Sequence, residues 1–208
     1  MQIQWLGQSC FKIQSKNSGQ ETTILMDPYG DDAGPKPPKA QADIITFSHN
    51  SDGQIIKAEG FIINAPGEYE TRGVFIYGVP IQNIGQAGKE NITIFKINNE
   101  DLTLAHLSTL NQELNDEQLE KLGNIDILLL PVGGHGVLDA KKASEVVSAI
   151  EPRIVIPMHY QIPGLKSKLD SVEAFVKESG LSAEKMDKLK IAKKDLPQEE
   201  TKIVILNI

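Results

Sequence analysis

One cysteine, Cys10, is all that the 208 residues contain. That excludes an internal disulfide and any cysteine-based zinc motif, because both need several thiols at set spacings. In "QSCFKI" the thiol alternates with polar neighbours, the pattern of a buried strand residue rather than of a nucleophile. A basic surplus is also missing. The 21 Lys and Arg stand against 28 Asp and Glu, a net charge of −7, which repels phosphates and argues against nucleic acid or an anionic membrane as partner. The most basic stretch, "KMDKLKIAKK" (Lys185 to Lys194), alternates with apolar residues at helical spacing and reads as a solvated helix face. No apolar run approaches the roughly 20 residues that span a bilayer, and "MQIQWLGQSC" shows no basic leader before an apolar stretch. A cytoplasmic location is the expectation. No Pro/Ser-rich linker divides the chain, so a single domain over residues 1–208 is expected.

The first half is rich in short strand signals. "QIQWL", "CFKIQ" and "TTILMD" come first, with "NSGQ" as the hairpin turn between the last two. "DPYGDDAGPKPPK" (Asp27 to Lys39) has too much Gly and Pro for regular structure and reads as a surface loop. "ADIITFS", "FIINA", "GVFIYGV", "NITIFKIN" and "LTLAHL" follow as further strands. The period then changes. "NDEQLEKLGN" offers Asn115 as N-cap, Gln118 three residues on and Gly123 as stop, the marks of a short helix. "IDILLLPV" and "RIVIPMHY" are continuous apolar runs, as in strands buried on both faces. Between them "DAKKASEVVSAIEP" places Ala140, Ala143, Val146, Val147 and Ile150 at helical spacing before Pro152. "SKLDSVEAFVKESG" reads as another helix and "TKIVILNI" as a closing strand. Strands followed by alternating helix and strand imply sheets with helices packed outside them.

Reactive side chains reach solvent where strands end. Three such ends carry a histidine: "TFSHNSDGQ", "LAHLSTLNQ" and "PMHY"; a fourth, "PVGGHGVLDA", holds His135 among Gly133, Gly134 and Gly136. His106 lies inside an apolar strand and reads as a hydrogen-bonded structural residue. His49 and His159 each directly follow an apolar strand, so both face one cleft if those strands are neighbours. Asp27 before Pro28 and Asp139 before a helix read as turn and capping residues, and Glu68 and Glu70 of "APGEYE" as structural.

Blocks along nearly the whole chain carry a resemblance: "WLGQSCFKI", "ILMDP", "ADIITFSH", "APGEYETRGVFIYGVP", "LAHLSTLNQELNDEQLEKLG", "DILLLPVGGHGVLDAKKASEVV" and "EPRIVIPMHY". Together they resemble the metallo-β-lactamase superfamily, and within it the compact UlaG-like group of Zn-dependent hydrolases. The resemblance implies an α/β (α+β) fold, a four-layer αββα sandwich with its site at one edge. It also implies a ligand pattern: a His-x-His-x-Asp-His loop, a His after the "GVP" strand, a bridging Asp in an "HLGD" turn and a His ending the "IPMH" strand. Two Zn²⁺ ions need that many imidazoles and carboxylates close by.

Laid on the pattern, His49 fills the first position, while Ser51, Gly53 and Gln54 fall on the other three. Asn83 falls on or near the next His, Thr109 replaces the bridging Asp in "HLST", and His159 matches again. Gln8 stands where relatives commonly have His. Ser, Thr, Asn and Gln offer neutral donors and are poor zinc ligands. The resulting expectation is a degenerate site without the dinuclear centre. The protein would then be a pseudoenzyme with a binding, regulatory or assembly role, with no cofactor, or at most one weakly held divalent metal. The alternative is a working hydrolase with one metal on His49, His159 and a third ligand such as Asp52 or His135. A small molecule in the cleft and a homo-oligomer are the partners considered.

Overall fold

A computed structural model describes residues 1–17, 19–30, 37, 41–49, 59–82 and 91–208. The strand signals of the first half become β1 (Gln2–Trp5), β2 (Phe11–Asn17), β3 (Gln20–Met26), β4 (Gln41–Thr46) and β5 (Glu59–Ile63). They continue with β6 (Gly67–Thr71), β7 (Val74–Ile81), β8 (Ile92–Asn99) and β9 (Leu102–His106). The second half supplies α1 (Asp116–Leu122), β10 (Ile127–Pro131), α2 (Ala140–Ile150), β11 (Ile154–Met158) and α3 (Val172–Ser179). Three short strands close the chain: β12 (Ala183–Met186), β13 (Leu189–Lys190) and β14 (Lys202–Leu206).

Two sheets form. One has the order β13-β1-β2-β3-β4-β5, the other β12-β14-β11-β10-β9-β8-β7-β6. The hairpin between β2 and β3 pairs Asn17 with Gln20, as the turn residues require. From β3 onward the first sheet runs parallel, β3 with β4 and β4 with β5. In the second sheet β9, β10 and β11 are mutually parallel. Every residue of β10 and β11 is buried, which explains why both read as unbroken apolar runs. Parallel pairing also puts the carboxyl ends of β9, β10 and β11 on one edge of their sheet. The same holds for β3 and β4 in the other.

The sheets meet over a shared core. Ile3, Trp5, Phe11 and Ile13 from the first pack with Ile94, Phe95, Leu104, Leu129 and Ile156 from the second. Strand alternation sends Cys10, Leu25 and Ile45 to a smaller cluster, so the thiol is buried and free. Its burial, with Asp27 nearby, pushes the thiol well above its ordinary pKa, which leaves it protonated and inert.

Capping sets the helix boundaries. Asn115 and Gln118 form a reciprocal capping box on α1, whose C-cap is Gly123. Asp139 accepts from the Lys142 N–H at the start of α2, and Glu151 ends it in the left-handed region before Pro152. Two sequence readings need correction. The helix expected across residues 167–180 begins only at Val172, after Ser171 as N-cap. The solvated helix expected from Lys185 to Lys194 is instead the end of β12, then β13, then one 3-10 turn at Lys193–Asp195. Leu189 and Ile191 are buried while Lys190 between them is exposed, a period of two that suits an edge strand on β1.

Candidate functional site

Five strand-end segments converge at one edge of the sandwich, and a single carboxyl group ties three of them together. Asp27, directly after β3, is buried and adopts a φ of 43°. Its Oδ1 accepts from the Ser48 N–H at 2.7 Å, and its Oδ2 accepts from the Ser108 hydroxyl at 3.1 Å. The first bond holds the loop after β4, which carries His49. The second holds the turn after β9, which carries Thr109. A carboxylate accepting two hydrogen bonds in a buried place is a strong fixture, because each bond to a charged acceptor contributes about 1.5–3 kcal/mol.

His106, the last residue of β9, is wholly buried. Its Nε2 lies 2.8 Å from the Ser9 carbonyl, which can only accept, so Nε2 carries the proton and donates. Nδ1 then faces Asp27 Oδ2 at 3.8 Å. Burial lowers the His106 pKa, opposed by Asp27 and the Ser9 carbonyl and assisted by His49. The sequence reading of His106 as a structural histidine agrees with this setting.

His159 follows β11 and is held twice by the turn between β1 and β2. Its backbone N–H donates to the Gln8 carbonyl at 3.1 Å, and its ring Nδ1 lies 3.2 Å from Ser9 Oγ. Trp5 Nε1 donates to the same Gln8 carbonyl at 2.8 Å and stacks on Tyr160 with ring centroids 4.8 Å apart. Burial lowers the His159 pKa to about 4, helped by the charge of nearby His49 and opposed by Asp27. The imidazole is therefore neutral at physiological pH, the form that ligates a metal. His49 is exposed and near enough for its charge to reach both His159 and His106.

Backbone strain concentrates on the same edge. Gln8, Asp27, Ser108 and His159 all have φ between 43° and 51° without being glycine, and such outliers cluster where a precise arrangement of side chains is enforced. His135 also has a positive φ, 52°, and its Nε2 lies 3.4 Å from Asp170 Oδ1 at the exposed rim. Its loop lies close against β11: a Cβ on Gly133 would come within 2.2 Å of the His159 carbonyl oxygen.

Of the positions singled out in the sequence, His49 and His159 come together, Thr109 sits partly buried on the neighbouring turn, and His135 engages Asp170. Ser51, Asp52, Gly53, Gln54 and Asn83 lie outside the described residues. Among the described residues, no group of three or more His, Cys, Asp or Glu is placed to hold a metal ion. Asp27 engages Ser48 and Ser108, one through each carboxyl oxygen. Its hub role, and those of Ser9, Ser48 and Ser108, were missed in the sequence. The one signal was "ILMDP", where a carboxylate ends an apolar strand.

A mixed α/β sandwich of two sheets with a histidine-bearing edge defines the class, and comparison gives the family. The profile described as Beta-lactamase superfamily domain matches residues 2–159, and the chain belongs to that family. A UPF0173 metal-dependent hydrolase of Pyrococcus abyssi is 28% identical over 195 residues, covering 77% of this chain and 84% of the relative. A Thermotoga maritima protein assigned to the Zn-dependent hydrolases of the metallo-beta-lactamase superfamily has a crystal structure that matches with a TM-score of 0.81. It is 32% identical and covers 99% of this chain and 98% of its own. A metallo hydrolase of Ignicoccus hospitalis, 18% identical with a TM-score of 0.61 over 86% of this chain and 90% of its own, shares the fold. These findings confirm the expected metallo-β-lactamase fold.

They overturn the expectation that no cofactor is needed. The relatives are named metal-dependent and Zn-dependent hydrolases, which points to a metal cofactor. The sequence reading gave most weight to the neutral residues Ser51, Gln54, Asn83 and Thr109, which are poor zinc ligands, and less to the alternative of a single metal on His49 and His159.

Proposed function

We propose that this protein is a metal-dependent hydrolase with a reduced, mononuclear site, in which His49 and His159 hold one divalent ion. The observation that carries this reading is the placement of His159: its Nδ1 lies 3.2 Å from Ser9 Oγ at the end of β11, and His49 is near enough for its charge to act on the ring. A ligating histidine commonly has its second nitrogen engaged in this way. Thr109 is neutral where a bridging carboxylate would stand, which argues against a second ion. The third ligand in this reading is Asp52, which lies outside the described residues, or His135, whose Nε2 lies 3.4 Å from Asp170 Oδ1 at the exposed rim.

When bound, the metal supplies Lewis acidity toward a carbonyl or phosphoryl oxygen. The chain's own residues do the rest. Asp27 keeps the His49 loop and the Thr109 turn in register through Ser48 and Ser108. Ser9 and Gln8 hold His159. Thr109 offers an uncharged hydrogen-bonding group to a small-molecule substrate in the cleft, and Trp5 and Tyr160 back the His159 loop with apolar bulk. We place this activity in the cytoplasm.

The test is hydrolysis of generic thioester, lactone and phosphodiester substrates by metal-stripped protein resupplied with Zn²⁺ or Mn²⁺. Metal-restored turnover of one class, lost in His159→Gln and His49→Gln, supports the reading. Turnover equal in the stripped and resupplied protein rejects it in favour of metal-free hydrolysis, and no turnover with any class rejects it and leaves a binding role.

A further inference from the structure

We infer that Ser9 is a positioning residue that fixes the tautomer of His159, so that Nε2 presents its lone pair to the cleft. Ser9 is buried, and its hydroxyl has two neighbours: His159 Nδ1 at 3.2 Å and the Ser108 carbonyl oxygen at 3.5 Å. A carbonyl oxygen only accepts, so the contact to Ser108, long for an O–H···O bond, is one the hydroxyl makes only as donor. Only one arrangement then satisfies both contacts. Nδ1–H donates to Ser9 Oγ, Ser9 O–H donates to the Ser108 carbonyl, and Nε2 is left unprotonated.

The backbone around Ser9 makes this arrangement rigid. The turn is closed by Cys10 N–H to the Gly7 carbonyl at 2.8 Å and Leu6 N–H to the Cys10 carbonyl at 2.9 Å. The Ser9 carbonyl takes the His106 Nε2–H at 2.8 Å, and the neighbouring Gln8 carbonyl takes the His159 N–H. One residue thus sets both rings, His106 through its backbone and His159 through its side chain. The two tautomers are opposite: Nε2–H in His106, Nδ1–H in His159.

This inference deepens the reading of the cleft as a metal site and rests on it only for the consequence on metal affinity. The experiment is long-range ¹H–¹⁵N NMR of the imidazole rings in metal-free protein near neutral pH, on the native chain and on Ser9→Ala and Ser9→Thr, followed by Zn²⁺ titration of each. The native chain is expected to show His159 as Nδ1–H. Ser9→Ala releases it into a mixture with Nε2–H and weakens Zn²⁺ binding roughly 10–100-fold, while Ser9→Thr restores the native signature. His106 serves as the internal control, because its partner is a backbone carbonyl that neither substitution removes. Nε2–H for His159 in the native chain, or an unchanged Nδ1–H signal in Ser9→Ala, overturns the inference. The Nδ1–H tautomer with no Zn²⁺ uptake leaves Ser9 in its role and rejects the metal reading alone.

Discussion

Asp27 carries more of the site than any other single side chain. Removing its carboxyl group leaves the Ser48 N–H and the Ser108 hydroxyl without an acceptor in a buried place. Asp27→Ala is expected to cost about 2–4 kcal/mol, read as a lowered urea midpoint at constant slope; a loss under about 1 kcal/mol would show that solvent or another group replaces the carboxylate. His159 sets a second prediction, on pH. Its folded pKa of about 4 lies below the ordinary value of 6.5, so the unfolded chain binds more protons between those values. Stability of the metal-free protein therefore falls as the pH drops from about 6.5 to about 4. His159→Gln should reduce the slope of the unfolding free energy across that window, with buried His106, whose pKa is also lowered, keeping the remainder, and an unchanged slope would contradict the burial argument. These residue-scale features were only partly legible in the sequence. His49 and His159 stood out because each ends an apolar run. Ser9 and Ser108 did not, since a serine in a turn has many ordinary uses and only the crossing of two sheets reveals its partner.

At the scale of elements, the strands were the more readable part, for a physical reason. Burial on both faces makes β10 and β11 continuous apolar runs, and alternation marks β1. Capping chemistry likewise fixed α1 at Asn115 and Gly123. β12 and β13 were misread because Lys spaced among Leu, Ile and Met fits both a helix face and an edge strand, and tertiary pairing with β14 and β1 decides between them. β6 was not among the strands read from the sequence. Its exposed Glu68 and Glu70 hide a strand whose identity comes from pairing with β7. Two substitutions separate local from long-range contributions. Asn115→Ala removes the capping box and should cost about 1 kcal/mol in chemical unfolding, with no effect on the cleft. Gly133→Ala drives a Cβ into the His159 carbonyl and should displace the end of β11. Loss of Zn²⁺ binding in Gly133→Ala but not in Asn115→Ala is the expected pair of results; equal binding in both would detach the glycine loop from the site.

For the molecule as a whole, two sheets share one core, and the site lies where the carboxyl ends of parallel strands from both sheets meet. The fold family was readable because many motif blocks appear in the expected order. The metal cofactor to which the relatives' names point was not, because neutral residues at Thr109 and Asn83 and in the His49 loop were read as loss of the ligands. None of the helices among the described residues is long and apolar enough to cross a membrane. The proposed binding of a single divalent ion in the edge cleft through His49 and His159 is tested most directly by equilibrium dialysis of metal-stripped protein against Zn²⁺, followed by elemental analysis. The expected result is one equivalent per chain, lost in His49→Gln and in His159→Gln; two equivalents, none, or one that survives both substitutions would contradict it.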